Sequence, residues 1–227
     1  MTSVLKIACK TFLNLYRTKT MRQTLLLFAI TIITTGAIAQ GKSVNYGLKV
    51  GLNIGKIGIS PPLQNRTEHY GAGLVAGCLT RIPILKKINI QTEALYHLHN
   101  SSLKFNPSSG GDVNEIDLSL HQISLPVQLS YSIIPNVSLN AGVSANYNFY
   151  FSQKVMRDFG TNPSFNITGE IVNFQSGVLG GITIYANSFI IDARYNRMSG
   201  NLYKKRSTDD PTEYHLGFFQ LSLGYKF

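Results

Sequence analysis

The sequence predicts an all-β fold, an eight-stranded antiparallel up-and-down transmembrane β-barrel, and three observations support this prediction. In the final strand, Phe219, Leu221, Leu223, Tyr225 and Phe227 share one face and alternate with polar or small residues, as expected of a strand with two different faces. Residues 1–39 have the features of an export leader. Long and short connections alternate between the predicted strands, which is the loop asymmetry of outer-membrane barrels.

The leader has the parts of a secretory signal peptide. A basic start at Met21–Gln23 precedes an apolar run of roughly a dozen residues, and the small residues Ala37 and Ala39 follow. The run is shorter than the ~20 residues of a spanning helix. We therefore expect cleavage after Ala39, with translation starting at Met1 or Met21, and residues 40–227 forming an outer-membrane β-barrel domain.

The first three predicted strands cover residues 44–54, 70–82 and 88–98. Each has a period of two, so that one face is apolar and the other is polar or small. In the first strand Leu48 and Val50 lie on the apolar face, and Lys49 lies on the opposite one.

The fourth predicted strand, residues 116–131, changes phase. Leu118 and Leu120 occupy one face, whereas Ile123 and Leu125 continue on the other. One extra residue near His121–Gln122 would place all of them on the same face, which predicts a β-bulge there. Pro126 lacks an amide donor, so we expect a local interruption of the hydrogen-bond ladder beside it.

The remaining predicted strands are residues 137–151, 171–185, 189–196 and 214–227, and the last is expected to close the wall against the first. The even count fits a single-chain bacterial barrel. The short connections fall on one end, predicted to be periplasmic, and the long ones on the extracellular end. A soluble lipocalin-like barrel is a less favoured alternative, because its interior is apolar.

Composition limits the choice of function. The formal charge of +10 falls to +5 without residues 1–39, which hold five basic residues and no acidic one. The remaining charges are scattered along the chain, which argues against a nucleic-acid partner. Removal of the leader leaves Cys78 as the single cysteine, which excludes an intramolecular disulfide and a cysteine-ligated metal. We expect no cofactor.

Charged residues on the inward face predict an ion-pair network in the lumen. An eight-stranded barrel is about wide enough for its own side chains, and charges buried there must be paired. We expect Glu93 and Asp192 to pair with Lys49, Arg81 or Arg194. The preferred interpretation is a structural polar plug, and a narrow ion pathway is the alternative.

The histidines cluster toward the predicted extracellular end. His97 and His99 share a face of the third strand and His121 lies near the start of its neighbour, so they could form a metal site at the rim. A polar and aromatic interface girdle is the favoured alternative, and we expect no metal. His97 and His99 with Ser101 and Ser102 are the only ingredients in register for rim-active lipid chemistry, and enzymatic activity is not expected.

Four segments resemble the PorT-like outer-membrane β-barrel family of Bacteroidetes. They are His121–Tyr131, Val137–Tyr147, Phe189–Tyr195 and the closing Leu-Gly-Tyr-Lys-Phe. The resemblance spans about residues 40 to 227 and implies the barrel fold more strongly than a function. One member of that family takes part in cargo secretion through the type IX system.

The sequence thus predicts a non-enzymatic outer-membrane scaffold of a Gram-negative bacterium, with a possible role in secretion. A narrow channel for small or hydrophobic solutes and a rim-active lipid-modifying enzyme are the alternatives. Expected partners are membrane lipid and lipopolysaccharide, the barrel assembly machinery, which would recognise the Phe219–Phe227 strand, and an unknown envelope protein. The basic run Lys204–Arg206 could bind lipid A phosphates or lie on a solvated loop face.

Overall fold

Strands account for nearly all of the described chain. The computed structural model describes residues 44–61, 66–105, 113–157, 162–204 and 212–227, so the predicted leader at 1–39 lies outside it. The strands are β1 (Asn45–Ser60), β2 (Arg66–Pro83), β3 (Ile88–Phe105), β4 (Val113–Ile134), β5 (Val137–Arg157), β6 (Ser164–Asn166), β7 (Phe174–Ala186), β8 (Phe189–Met198) and β9 (Glu213–Lys226). Among these residues no helix has the length and apolar composition needed to cross a membrane.

Eight of the strands form a closed antiparallel ring. Each pairs with its neighbour in the order β1-β2-β3-β4-β5-β7-β8-β9, and β9 returns to β1. At this seam Leu48 lies opposite Tyr225 and Ile54 lies opposite Phe219. The predicted barrel and its closing strand are therefore confirmed. The short strand β6 was not predicted, and it pairs only with β5, outside the ring.

The two ends of the ring differ as the connection lengths predict. One end carries the short turns at residues 84–87, 135–136 and 187–188, and this is the periplasmic end in barrels of this class. At the other end the strands are longer than predicted: β1 reaches Ser60, β3 reaches Phe105 and β5 reaches Arg157. The wall thus continues as a sheet beyond the apolar part of its outer surface.

The irregularity predicted at His121–Gln122 is present, but the extra residue belongs to the partner strand. His121 lies opposite Tyr150 and Gln122 lies opposite Asn148, so Phe149 of β5 has no partner. Strand β4 keeps its alternation, and Leu118 and Leu120 point inward, where both are buried. The prediction that a bulge in β4 places these leucines on the outer face is therefore wrong.

Pro126 interrupts the ladder without changing its register. The β3–β4 pairs stop at Thr92 opposite Val127 and resume at Leu95 opposite Ser124. The missing pairs are those of Leu125 and Pro126, and Pro126 has no amide hydrogen to donate. The local interruption predicted from the sequence is confirmed.

The outer face of the ring is an apolar belt. Phe219, Leu221 and Leu223 of β9 are 51–63% exposed, and exposed Val, Leu and Ile side chains continue around the other strands. Exposed aromatic residues lie at both margins of the belt: Tyr46, Tyr131, Phe189 and Tyr225 toward the short turns, and Tyr70, Tyr96, Tyr147, Phe174, Tyr195 and Phe219 toward the long loops. An apolar band between two aromatic girdles is the surface that a bilayer requires.

Candidate functional site

Four buried charges meet at the centre of the lumen. Lys49 Nζ lies 2.9 Å from Glu93 Oε1 and 3.4 Å from Asp192 Oδ2. Arg194 donates from Nη2 to both oxygens of Glu93 at 2.8 Å, and from Nε to Asp192 Oδ1 at 2.8 Å. All four side chains are at most 2% exposed. Their formal charges cancel, which is the condition for burying them.

Neutral side chains complete this charge quartet, which comprises Lys49, Glu93, Asp192 and Arg194. Gln91 and Gln128 donate to Glu93 Oε1 at 2.6 and 3.0 Å. Thr183 donates to Asp192 Oδ2 at 3.1 Å, and Asn140 donates to Thr183 Oγ1 at 2.6 Å. The network therefore connects six of the eight wall strands, and Ser130, which donates to Asn140, extends it. Arg194 Nη1 and the Oε1 atoms of Gln91 and Gln128 are buried without a hydrogen-bond partner among the described residues. The network therefore balances its charges fully and its hydrogen bonds only in part.

Arg81 is the one residue of the predicted ion-pair network that lies apart from the quartet. Its guanidinium carbon is 4.2 Å from the centre of the Tyr185 ring, which is a cation–π geometry. It lies opposite Gln91 in the β2–β3 pairing, whereas Glu93 lies opposite Leu79. Arg81 is thus one inward step closer to the periplasmic turns than the quartet.

The structure brings His97 and His99 together but places His121 on the other side of the wall. The His97 and His99 rings stack in the lumen with centroids 5.2 Å apart, and Phe218 packs against both. His121 faces outward, where its Nδ1 lies 2.7 Å from the Tyr96 hydroxyl. Because His121 pairs with Leu98, it cannot share the face of His97 and His99. Within the described ranges no group of three His, Cys, Asp or Glu side chains could hold a metal ion.

An apolar cluster fills the lumen between the histidines and the extracellular end. We call it the luminal plug, and its buried members are Ile57, Ile59, Leu103, Leu118, Leu120, Phe151, Ile171, Met198, Leu202, Leu216 and Phe218. Ile171 and Leu202 come from the segments between strands, so the chain folds into its own lumen. Together, the plug and the charge quartet occupy the lumen at two successive levels.

The luminal plug was not predicted, although the residue pattern contains a signal for it. In β1 the outward residues are apolar through Ile54, after which Ile57 and Ile59 point inward and Lys56 points outward. In β9 the same inversion places Phe219 outward and Leu216 and Phe218 inward. Beyond the apolar belt the outer face meets water, so apolar residues are more stable inside. Inversion of the alternation marks the edge of the belt.

The predicted assembly strand lies at the seam. Phe219, Leu221, Leu223 and Tyr225 face outward in β9, and the amide of Phe227 donates to the carbonyl of Tyr46 at 2.9 Å. The pairing of β9 with β1 extends from Gly47 opposite Lys226 to Ser60 opposite Glu213. This strand therefore contributes both to closure of the ring and to the apolar belt.

A closed ring with an apolar belt, two aromatic girdles and a filled lumen defines an integral outer-membrane β-barrel protein. A comparison with family models agrees with this class. Residues 38–199 match the outer membrane protein beta-barrel domain family, and the chain belongs to that family. No curated protein sequence matches the chain significantly.

Solved structures with a similar fold include three outer-membrane proteins from other bacteria. Ail, the attachment invasion locus protein of Yersinia pestis, crystallised with the heparin analogue sucrose octasulfate, is 14% identical with a TM-score of 0.47, and the match covers 82% of this chain and 100% of Ail. Neisserial surface protein A is 13% identical with a TM-score of 0.48 and coverage of 82% and 100%. OprG from Pseudomonas aeruginosa is 12% identical with a TM-score of 0.43 and coverage of 82% and 97%. These similarities concern the fold alone.

Proposed function

We propose that the protein is a non-enzymatic outer-membrane scaffold with a closed lumen, acting through the parts of its wall that lie outside the membrane. The observation that supports this most directly is the filling of the lumen at two levels, by the charge quartet and by the luminal plug. A solute would have to displace paired charges and then close-packed apolar side chains. Displacing either group is energetically costly.

The wall continues beyond the membrane as an extracellular sheet. Strand β6 is the part of this sheet best placed to bind a protein partner. Beyond Tyr147, toward the extracellular end, β5 no longer pairs with β7. There β6 pairs with that edge of β5 instead. All three residues of β6 are exposed, and Phe165 is 50% exposed. An exposed strand edge with an aromatic side chain is a surface to which another chain can add.

The finer parts of the proposal rest on the sequence. The PorT-like resemblance supports a role near a secretion machinery in Bacteroidetes, with residues 1–39 removed during export. The Phe219–Phe227 strand would be recognised by the barrel assembly machinery. An envelope protein is the proposed partner of the extracellular sheet.

Planar-bilayer conductance tests the closed lumen. We expect no stepwise ion conductance from the purified barrel, and steady unitary conductance would favour the channel alternative and overturn the proposal. The double variant Phe151→Ala with Phe218→Ala shortens two members of the luminal plug. It serves as a comparison protein in which the lumen is opened at the level of the plug and not at the level of the charge quartet. Mass spectrometry of lipid A from cells with and without the protein tests the enzyme alternative, and we expect identical spectra.

A cross-linking pair tests the scaffold role. A photoreactive residue at Phe165 should cross-link in intact cells to one defined envelope protein. The same residue at Val143, which is 61% exposed on the apolar belt, should not cross-link to that protein. Equal cross-linking from both positions, or none from Phe165, would contradict a partner at β6.

A further inference from the structure

Two cations flank a glycine on the outer wall just beyond the apolar belt. Gly217 of β9 lies opposite Arg197 of β8 on one side and opposite Lys56 of β1 on the other. Adjacent strands are about 4.8 Å apart, so the two cationic residues start about 10 Å apart with no side chain between them. A β-carbon at position 217 would come within 2.7 Å of the Tyr195 hydroxyl, so this hydroxyl covers the glycine. The arrangement is a shallow cradle lined by hydrogen-bond donors.

The cradle belongs to a groove of about 680 Å³. Lys56, Arg197, His215 and Glu68 line it, and Tyr70, Tyr195 and Phe219 of the extracellular aromatic girdle form its lower part. Aromatic girdles lie at the level of the lipid headgroups. The groove is therefore at the height where a phosphate or sugar of an outer-leaflet lipid would lie.

The charges around the groove leave Arg197 available. Lys56 Nζ is 2.8 Å from Glu68 Oε2, and His215 Nε2 is 3.2 Å from Glu213 Oε2. Arg197 is exposed, and no described side chain pairs with it. A guanidinium that forms no ion pair with the described residues presents planar donors suited to a phosphate group.

A second groove continues from the first toward the middle of the apolar belt. Tyr195 and Phe219 line both grooves, and the lower one has a volume of about 450 Å³. The small residues Gly180 and Ala193 leave room on the outer face here, and Leu52, Ile182 and Leu221 line the groove as well. A concave apolar surface of this kind fits a hydrocarbon chain.

We propose that this face of β7, β8, β9 and β1 binds one phosphorylated lipid of the outer leaflet. The phosphate lies on Arg197 and Lys56 beside the Tyr195 hydroxyl, and one acyl chain follows the groove over Gly180 and Ala193. An upper groove that presents the donors of Arg197, Lys56 and the Tyr195 hydroxyl, continuous with an apolar lower groove, complements an anionic amphiphile and not a soluble anion. The inference depends on the membrane position of the barrel and not on the proposed scaffold role.

Native mass spectrometry of the full barrel in detergent, titrated with diphosphoryl lipid A, tests the site. Arg197→Gln combined with Lys56→Gln should weaken lipid A binding by roughly 10- to 30-fold, from the loss of two cations at the headgroup level. The matched control, Lys104→Gln combined with Lys154→Gln, removes the same charge from exposed positions elsewhere on the extracellular sheet and should change binding less than about twofold. Equal losses in the two double variants would show a general charge effect and overturn the proposal.

Two further measurements separate the phosphate from the acyl chain. Gly180→Leu fills the lower groove, and a β-carbon there meets only the Asn140 carbonyl at 3.8 Å, so the strand accommodates it. This variant should weaken lipid A binding while retaining the heat-dependent gel mobility of a folded barrel. Unchanged binding by Gly180→Leu would refute the acyl-chain position. Competition by millimolar inorganic phosphate equal to that of lipid A would refute a lipid as the ligand.

Discussion

Replacement of Glu93 by Gln tests the charge quartet most directly, because this carboxylate lies at its centre. Glu93 Oε1 accepts hydrogen bonds from Lys49, Gln91 and Gln128, and both carboxylate oxygens accept from Arg194. Glutamine has nearly the same size but no charge, so two buried cations would share only Asp192. Removing one partner of a buried ion pair lowers stability by about 3–5 kcal/mol. We expect a decrease of this size in the free energy of unfolding.

Urea unfolding of the barrel refolded into lipid vesicles, followed by gel mobility, measures this change. Glu115→Gln is the matched control, since its carboxylate is 4.0 Å from Lys104 Nζ and both side chains are partly exposed. Its effect should stay below about 1 kcal/mol. Adding Lys49→Met to Glu93→Gln restores neutrality, so the double variant should lose less stability than the sum of the single variants. A loss below about 1 kcal/mol for Glu93→Gln, or strict additivity, would refute a dry, charge-paired lumen.

Three further predictions concern the plug, the belt and the seam. Phe151→Ala should lower the unfolding free energy by about 3–5 kcal/mol, whereas Phe149→Ala on the outer face should lower it by less than half as much; equal losses would contradict the inward position of Phe151. Leu221→Arg, near the middle of the belt, should cost about 2–4 kcal/mol, and Ser152→Arg, on the outer face beyond the belt, less than about 1 kcal/mol, by the same urea assay; equal costs would contradict the position of the belt. Deletion of Tyr225–Phe227 should leave export intact and abolish outer-membrane assembly in fractionated cells, and normal assembly would contradict a role for this strand as the assembly signal.

The ring could be predicted from the sequence because two solvents act on alternate residues. Lipid favours apolar side chains on the outer face, and the narrow lumen favours polar or small ones. Leu48 and Lys49 can therefore be assigned to opposite faces from the sequence of their own strand. By the same rule, the five inward charges named from the sequence include all four members of the quartet, and the closing role of β9 could be predicted. Pairing along the strands then determines the register.

The plug and the histidine positions could not be predicted by the same rule. Beyond the belt the outer solvent is water, so apolar residues such as Leu118 and Leu120 turn inward while the strand keeps its period. A change of solvent outside the wall and a β-bulge both reverse which alternate positions of the sequence are apolar. The pattern of apolar residues alone therefore cannot distinguish them. The face of His121 depends on the same point, because β4 keeps its alternation and the extra residue lies in β5. The height of Arg81 depends on the pairing of β2 with β3, which the alternation does not reveal.

The charge quartet also has a consequence for the order of assembly. Glu93 and Arg194 are 101 residues apart in the chain, and Lys49 comes from β1, the strand that β9 must meet to close the ring. In an open sheet these charges stay hydrated, and closure removes their water. Closure is favourable only if every partner is in place, because an unpaired charge in the lumen is strongly destabilising. The quartet therefore makes the final step cooperative and selects against rings closed in the wrong register.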